Sequence, residues 1–389
     1  MRVQRNSRIA ILDGYRALAI LLVLFFHYTV RWSFPYDPAN HFPPGAIFEG
    51  NLIAEYGGFG VEFFFVISGF VILMTLEKCK SILDFAMRRF ARLWPSLIVA
   101  ATLTTIAMLF IGFQEWKVRL PSYLYSIVLI NPELIGKLLH EPELNWVDSA
   151  YWSLFIEVQF YVVACVCYWL VQKNFIRLWV GLQLIVTMVT IAVSHSHMLT
   201  AVADAAIFLP YFPYFTIGVC LYEIHSGGKL GRRAIFGATL AATTIFMSSA
   251  FNWNIWKAYD ATGGVITNLV IFVFFILFAV RSKIISLFSW RPIAILGQAS
   301  YSAYLLHQFI GISMMRLLVR HGIGYICALL VTTVGIIVLS VSIFYLVETP
   351  AKRLILGSSG LWIKAVQDKI PAIRFDRSNG PALHPADAI

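Results

Sequence analysis

Ten times along the chain the sequence runs for roughly 17 to 25 residues with almost nothing but apolar side chains, the length an α-helix needs to cross a hydrocarbon layer. The runs fall near 9–29, 60–76, 94–113, 151–171, 176–193, 205–223, 233–250, 264–280, 302–319 and 323–347. A mean hydropathy of +0.76, with 59% hydrophobic and 13% charged residues, is more apolar than a soluble surface accommodates. The sequence therefore predicts an all-α, polytopic integral membrane protein of about ten transmembrane helices. The first run is too long for a secretory signal, lacks a small-residue cleavage site and is followed by others, so it is expected to remain in the mature chain.

An even number of spans puts both termini on one side, and basic residues say which. With a cytoplasmic N-terminus, 22 of the 30 Lys and Arg residues lie in cytoplasmic segments, 7 lie outside and Arg16 lies within the first span. That asymmetry is the one expected of a chain with both termini in the cytoplasm. It also accounts for the net charge of +10 without a nucleic-acid partner, for which no recognition helix or soluble basic face is present. Residues 1–353 form the transmembrane domain on this reading, and 354–389 a partly disordered cytoplasmic tail.

Cys79, Cys165, Cys167, Cys220 and Cys327 fall within or near spans, so disulfide stapling is not expected. No Cys-x-x-Cys pair or Cys/His cluster has zinc spacing, so no metal is expected. Two outer loops, about 30–59 and 114–150, are long and rich in Pro, aromatic and acidic residues, the character of a lid or a binding surface.

Polar groups inside the apolar runs are the candidates for function, because a charge in the membrane core must be paired or line an aqueous cavity. In "LDGYRALAILLVLFFH", Arg16 and His27 are eleven positions apart, about 16 Å of rise and about 20° of rotation, so both project from one helix face. Arg16 has two readings, an ion pair with Asp13 or a functional cation. His27 is either a hydrogen-bonded helix-end residue or a group able to take a proton from a hydroxyl and return it.

The second run, "GGFGVEFFFVISGF", brings Gly57, Gly58 and Gly60 for close backbone approach, an acid at Glu62, and the small pair Ser68 and Gly69, for which ordinary helix packing suffices. After it, "DFAMRRFARLWP" carries Arg88, Arg89 and Arg92, either as positive-inside anchors or as a phosphate clamp. "YWSLFIEVQFY" carries Trp152, Glu157 and Gln159. Topology puts Glu157 at a depth similar to His27, where it could orient the imidazole, form an interhelical salt bridge or bind a sugar. For His307 and Gln308 in "SYSAYLLHQF" an interhelical hydrogen bond is favoured, and Glu348 in "VETPAKR" is expected to end the last span and pair with a cytoplasmic arginine.

The first four of these segments, in this order on these spans, resemble acyltransferase family 3, integral membrane enzymes that transfer acyl groups from acyl-coenzyme A to carbohydrate hydroxyls, and the last two are consistent with it. The resemblance runs from about residue 8 to 353, with Glu62 where Asp is usual and Val158 where many members have a second acid. It implies an O-acyltransferase, most often an O-acetyltransferase using acetyl-CoA. The acceptor would be a cell-surface or extracellular polysaccharide, a lipopolysaccharide or a lipid-linked oligosaccharide, handled by the spans and outer loops. It further implies His27 as general base, with Glu157 and Arg16 in the catalytic group. Arg16, Arg88, Arg89 and Arg92 would lie at the donor, and Glu62, Ser68, Trp152 and Gln159 at the substrate. A bacterial inner-membrane location, contact with lipid and association with polysaccharide biosynthesis enzymes follow from the same resemblance. The competing classes are a transporter or flippase for a polar solute or glycan, to which buried Arg, Glu and His groups would also suit, and a catalytically silent scaffold.

Overall fold

The fold is taken from a computed structural model that describes residues 2–112, 119–194, 208–227, 231–250, 261–280 and 282–357. The expected tail beyond 357 lies outside the described residues, as does the start of the span expected at 205. The regular elements among the described residues are all helices, with no strand. Ten long helices fall on the ten apolar runs: α1 (Arg2–Tyr28), α2 (Gly60–Leu76), α3 (Ile82–Ile111), α4 (Trp152–Val171), α5 (Phe175–Ser194), α6 (Phe212–Gly227), α7 (Arg232–Ala250), α8 (Ala261–Ala279), α9 (Ser300–Arg320) and α10 (Tyr325–Ile343). By length and composition, seven segments are apolar enough to cross a membrane. One of them, Ser149–Ala192, contains both α4 and α5.

Two boundaries differ from expectation for local reasons. Helix α3 starts at Ile82 rather than near 94, so the basic segment is its first three turns. Three arginines hide this start from a hydropathy window, yet the signals are there: Ser81 caps the helix by accepting from the Asp84 N–H at 3.1 Å, and Asp84 sits in the first turn. At the other end of the chain, Glu348 does not end the last span. Pro350 has no N–H to offer, and the chain passes it through a π-helical turn at Phe344–Glu348 before continuing helically to 357.

The helices divide into a core and a jacket. The membrane-length segments around α2, α9 and α1 are 72%, 67% and 56% buried, whereas those containing α3, α8 and α10 are 33%, 28% and 28% buried. Side chains such as Leu109, Phe110, Val273 and Leu330 therefore point outward to lipid. In lipid, close contact between helices rests on small residues. The α2–α6 crossing shows this: a Cβ on Gly69 would meet the Phe215 carbonyl oxygen at 2.1 Å, and one on Gly218 would meet that of Val66 at 2.0 Å. Packing thus accounts for Gly69, as the sequence suggested. The described parts of the two long loops expected outside are folded as well, into short helices and turns that include Pro43–Phe48, Leu52–Tyr56, Leu120–Val128 and Pro132–Leu139.

Candidate active site

Helices α1 and α9 run side by side in the same direction. Each presents a stripe at i, i+7 and i+11: Arg16, Val23 and His27 on α1, and Ser300, His307 and Gly311 on α9. The Tyr28 hydroxyl ties their outer ends, donating to the His307 carbonyl at 2.8 Å beside Gly311. Tyr304 fills the α9 stripe between Ser300 and His307.

A cavity of about 740 Å³, including its mouth, opens between α1, α2, α3, α4 and α9 at the Arg16 end of these stripes. Arg16, Arg89 and Arg92 converge on it, with Ser68, Glu157 and Tyr161 on one side and Ser300, Tyr301 and Tyr304 on the other. Its charges are held in place. Arg16 pairs with Asp13 at 2.7 Å, one of the two readings the sequence left open. Arg92 pairs with Glu348 at 2.6 Å, and Ser96 and Ser302 donate to the second Glu348 oxygen at 3.5 and 3.4 Å. Arg89 donates from Nη2 to the Thr75 hydroxyl at 3.0 Å and lies 5.6 Å from the ring centroids of Phe85 and Tyr161, while its buried Nε has no partner. Glu348 is thus the arginine's partner that the sequence anticipated, turned inward by the π turn.

Glu157 is in this cavity and not beside the histidine. Its Oε1 accepts from Ser68 Oγ and from the Tyr161 hydroxyl, both at 2.5 Å, and Oε2 takes no hydrogen bond from the described residues. The expectation of similar depth for Glu157 and His27 fails because α4 sits deeper against α9 than span boundaries suggest. Tyr151 already reaches the Leu305 carbonyl at 3.2 Å, which leaves Glu157 almost two turns further in. Ser68, for which packing would have sufficed, is a ligand of that carboxylate.

The other anticipated residues separate. Arg88 does not line the cavity and pairs on its own helix with Asp84 at 2.7 Å. Glu62, Trp152 and Gln159 lie outside the lining: Glu62 is buried with Oε2 unpartnered, Gln159 Oε1 is likewise buried and unpartnered, and Trp152 packs on Tyr211.

His27 also lies beyond the cavity, at the far end of the α1 stripe. What faces it is His307, with ring centroids 4.7 Å apart and planes at 83°. The α9 stripe connects the two places, since Tyr304 lines the cavity and its ring centroid is 5.3 Å from that of His307. The interhelical hydrogen bond favoured for His307 from the sequence is not made by its side chain, whose Nδ1 lies 2.7 Å from the Tyr304 carbonyl of its own helix while the ring faces α1. The signal available was its spacing from Ser300 and Tyr304, which puts three polar groups on one face of an apolar helix. Above the pair, Asp148 clamps the entry of α4 to α9 by accepting the N–H groups of Ala150 at 2.9 Å and Phe309 at 3.0 Å, and burial raises its carboxyl to about 7.

A cavity lined by three arginines suits anionic, group-carrying substrates, and comparison with known proteins points the same way. Residues 9–345 match the family described as an acyltransferase domain. Over 178 residues the chain is 28% identical to the peptidoglycan O-acetyltransferase OatA of Listeria monocytogenes, a stretch covering 42% of this chain and 25% of that protein. The chain thus spans about a quarter of the length of the curated relative it matches. No solved structure matches it. With nearly its whole helical region covered, this chain belongs to the acyltransferase domain family that its sequence resembled.

Proposed function

We propose that this protein is a multi-pass O-acetyltransferase of a bacterial inner membrane. It would move an acetyl group from acetyl-CoA to a hydroxyl of a carbohydrate such as a cell-surface polysaccharide or lipid-linked oligosaccharide. The excess of basic residues in the segments on that side supports both termini lying in the cytoplasm. The observation that carries the reading is the convergence of Arg16, Arg89 and Arg92 on one cavity, from which the α9 stripe leads to His27. Guanidinium groups match phosphate oxygens in geometry and charge, so the cavity suits the phosphorylated end of a coenzyme A thioester, with Arg88 at its approach. The distance of about 16 Å along α1 from Arg16 to His27 is one that an extended pantetheine arm can cover. The weak similarity to a peptidoglycan O-acetyltransferase supports a carbohydrate acceptor.

In this mechanism the acceptor hydroxyl oxygen attacks the thioester carbonyl carbon while His27 takes the hydroxyl proton. The tetrahedral intermediate collapses with loss of the coenzyme A thiolate, and the proton held by His27 goes to that sulfur. The products are an O-acetyl ester and free coenzyme A. Glu157 and Arg16 act at the cavity by fixing the charge balance around the donor. Glu62, Trp152 and Gln159 are left to the acceptor side, together with the outer loops.

Transfer of radiolabelled acetyl groups from acetyl-CoA to a panel of bacterial glycans, in membranes containing wild type or His27→Ala, tests the reading. The wild type is expected to label a glycan, and H27A to lose about 10²- to 10⁴-fold of that rate while staying inserted and folded. Full transfer by folded H27A would remove the base assignment. Solute flux without a donor, and no transfer, would replace the enzyme with a transporter.

A further inference from the structure

We propose that His307 is a positioning residue for His27: it accepts the His27 Nδ1 proton and so leaves His27 Nε2 as the base. The role of base rests on the proposed function, whereas the tautomer does not.

The inference starts from a carbonyl. His307 is fully buried, and its Nδ1 lies 2.7 Å from the Tyr304 carbonyl oxygen. A carbonyl only accepts, so His307 Nδ1 carries the hydrogen. A neutral imidazole has one N–H, which makes His307 Nε2 a bare acceptor. That atom is buried with no partner, and so is Nδ1 of His27 on the ring it faces. Two bare nitrogens there would both go unsatisfied, and an unmade buried hydrogen bond is costly. The two nitrogens make no hydrogen bond to each other as the rings stand, 4.7 Å apart between centroids, but a proton on His27 Nδ1 with a turn of that ring toward His307 Nε2 would satisfy both and place the remaining lone pair of His27 on Nε2. When the acceptor hydroxyl gives up its proton, Nε2 receives it, and His307 supports the resulting imidazolium through the Nδ1–H hydrogen bond.

This is the orienting task that a carboxylate performs in a hydrolytic triad, here given to a neutral group. The position suits a neutral group, since an ionised acid within the span would need its own partner. His307 is also well anchored: its carbonyl accepts from Tyr28, and Tyr304 packs on its ring. The charged and titratable groups set around the pair are Arg31 beyond the end of α1, Asp148 ahead of α4, Glu62 of α2 and Tyr304 of α9.

Nitrogen-15 NMR of histidine-labelled protein in nanodiscs, with H27A and H307F used to assign the two rings, reads the tautomers directly and needs no activity. The expected result is His27 protonated at Nδ1 in wild type and a mixture of tautomers in His307→Phe. A wild-type His27 protonated at Nε2, or one unchanged in H307F, would overturn the proposal. In the transfer assay, H307F is expected to lose roughly ten- to a hundredfold in kcat. The donor KM should stay nearly constant, and the acid limb of the pH profile should move. His307→Gln, whose amide oxygen can accept at the place of Nε2, should recover part of the rate and of the tautomer preference. It also serves as the test if H307F fails to fold. If H307F and H307Q lost activity equally with the wild-type tautomer retained, His307 would be structural only. Loss of the tautomer without any transferase activity in wild type would leave the pairing standing and remove the reaction.

Discussion

The two ends of the α9 stripe are built on opposite rules. At the cavity end the charges are neutralised or tethered: Arg16 by Asp13, Arg92 by Glu348, Arg89 by Thr75 and two aromatic rings, Glu157 by Ser68 and Tyr161. At the other end two imidazoles face each other with a nitrogen on each lacking a hydrogen bond. A tethered arginine is a rigid cation with spare N–H groups, suited to holding an anion. An imidazole with an unused nitrogen is suited to moving a proton. On the proposed function, the contrast would separate holding from reacting along one helix face.

The largest effect expected from breaking the tethered end comes from Glu348→Ala, which strands Arg92 in a site where the carboxylate was almost fully buried. Removing one member of a buried pair costs about 3–5 kcal/mol, and a thermal melt in detergent should show it. Replacing both residues by leucine should restore much of that loss, although not the transfer activity. A melt of E348A equal to wild type would mean that the cavity does not depend on its ion pairs.

A smaller loss is expected from Ser68→Ala. It deletes one of two hydrogen bonds to Glu157 Oε1, an interaction with a charged acceptor worth about 1.5–3 kcal/mol. Because the carboxylate shares its cavity with the arginines, S68A should also weaken binding of the donor, seen as a higher KM for acetyl-CoA. An unchanged KM would place Glu157 outside the donor's reach.

An effect of similar size, confined to a window of pH, belongs to the histidine end, through Asp148. Its folded-state value of about 7 lies above the usual 3.8, so its contribution to stability is complete below about 3.8 and is lost as pH rises through 7. Asp148→Asn does not titrate there. Wild type should therefore lose stability relative to D148N between about pH 5 and about pH 8, as comparison of melts at the two values would show. A gap independent of pH would mean that the clamp on Phe309 works the same in both protonation states.

Much of this was open to reading in the chain. The apolar runs located all ten long helices, the i, i+11 spacing put Arg16 and His27 on one face, and Asp13 was correctly seen as within reach of Arg16. The start of α3 was misplaced because arginines mask an amphipathic helix end from a hydropathy window, though Ser81 and Asp84 marked it. For His307 an interhelical hydrogen bond was favoured, because a lone histidine in an apolar helix is ordinarily a satisfied core residue. Only the neighbour on α1 makes it otherwise. Glu157 was put beside the wrong group because depth was counted from span ends, while α4 is set deeper by Tyr151 and Asp148 gripping α9.

By itself, then, the sequence determined what depends on the solvent and on local geometry: helix formation and which residues share a face. Those follow from backbone hydrogen bonds that must close within each helix in lipid, and from the 3.6-residue turn. Only the tertiary structure decided which faces meet. Arg92 and Glu348 are 256 positions apart and Ser68 and Glu157 are 89 apart. Nothing local to either member selects the other, because such pairs are set by where the small residues let helices cross and by which polar groups are then left to find each other.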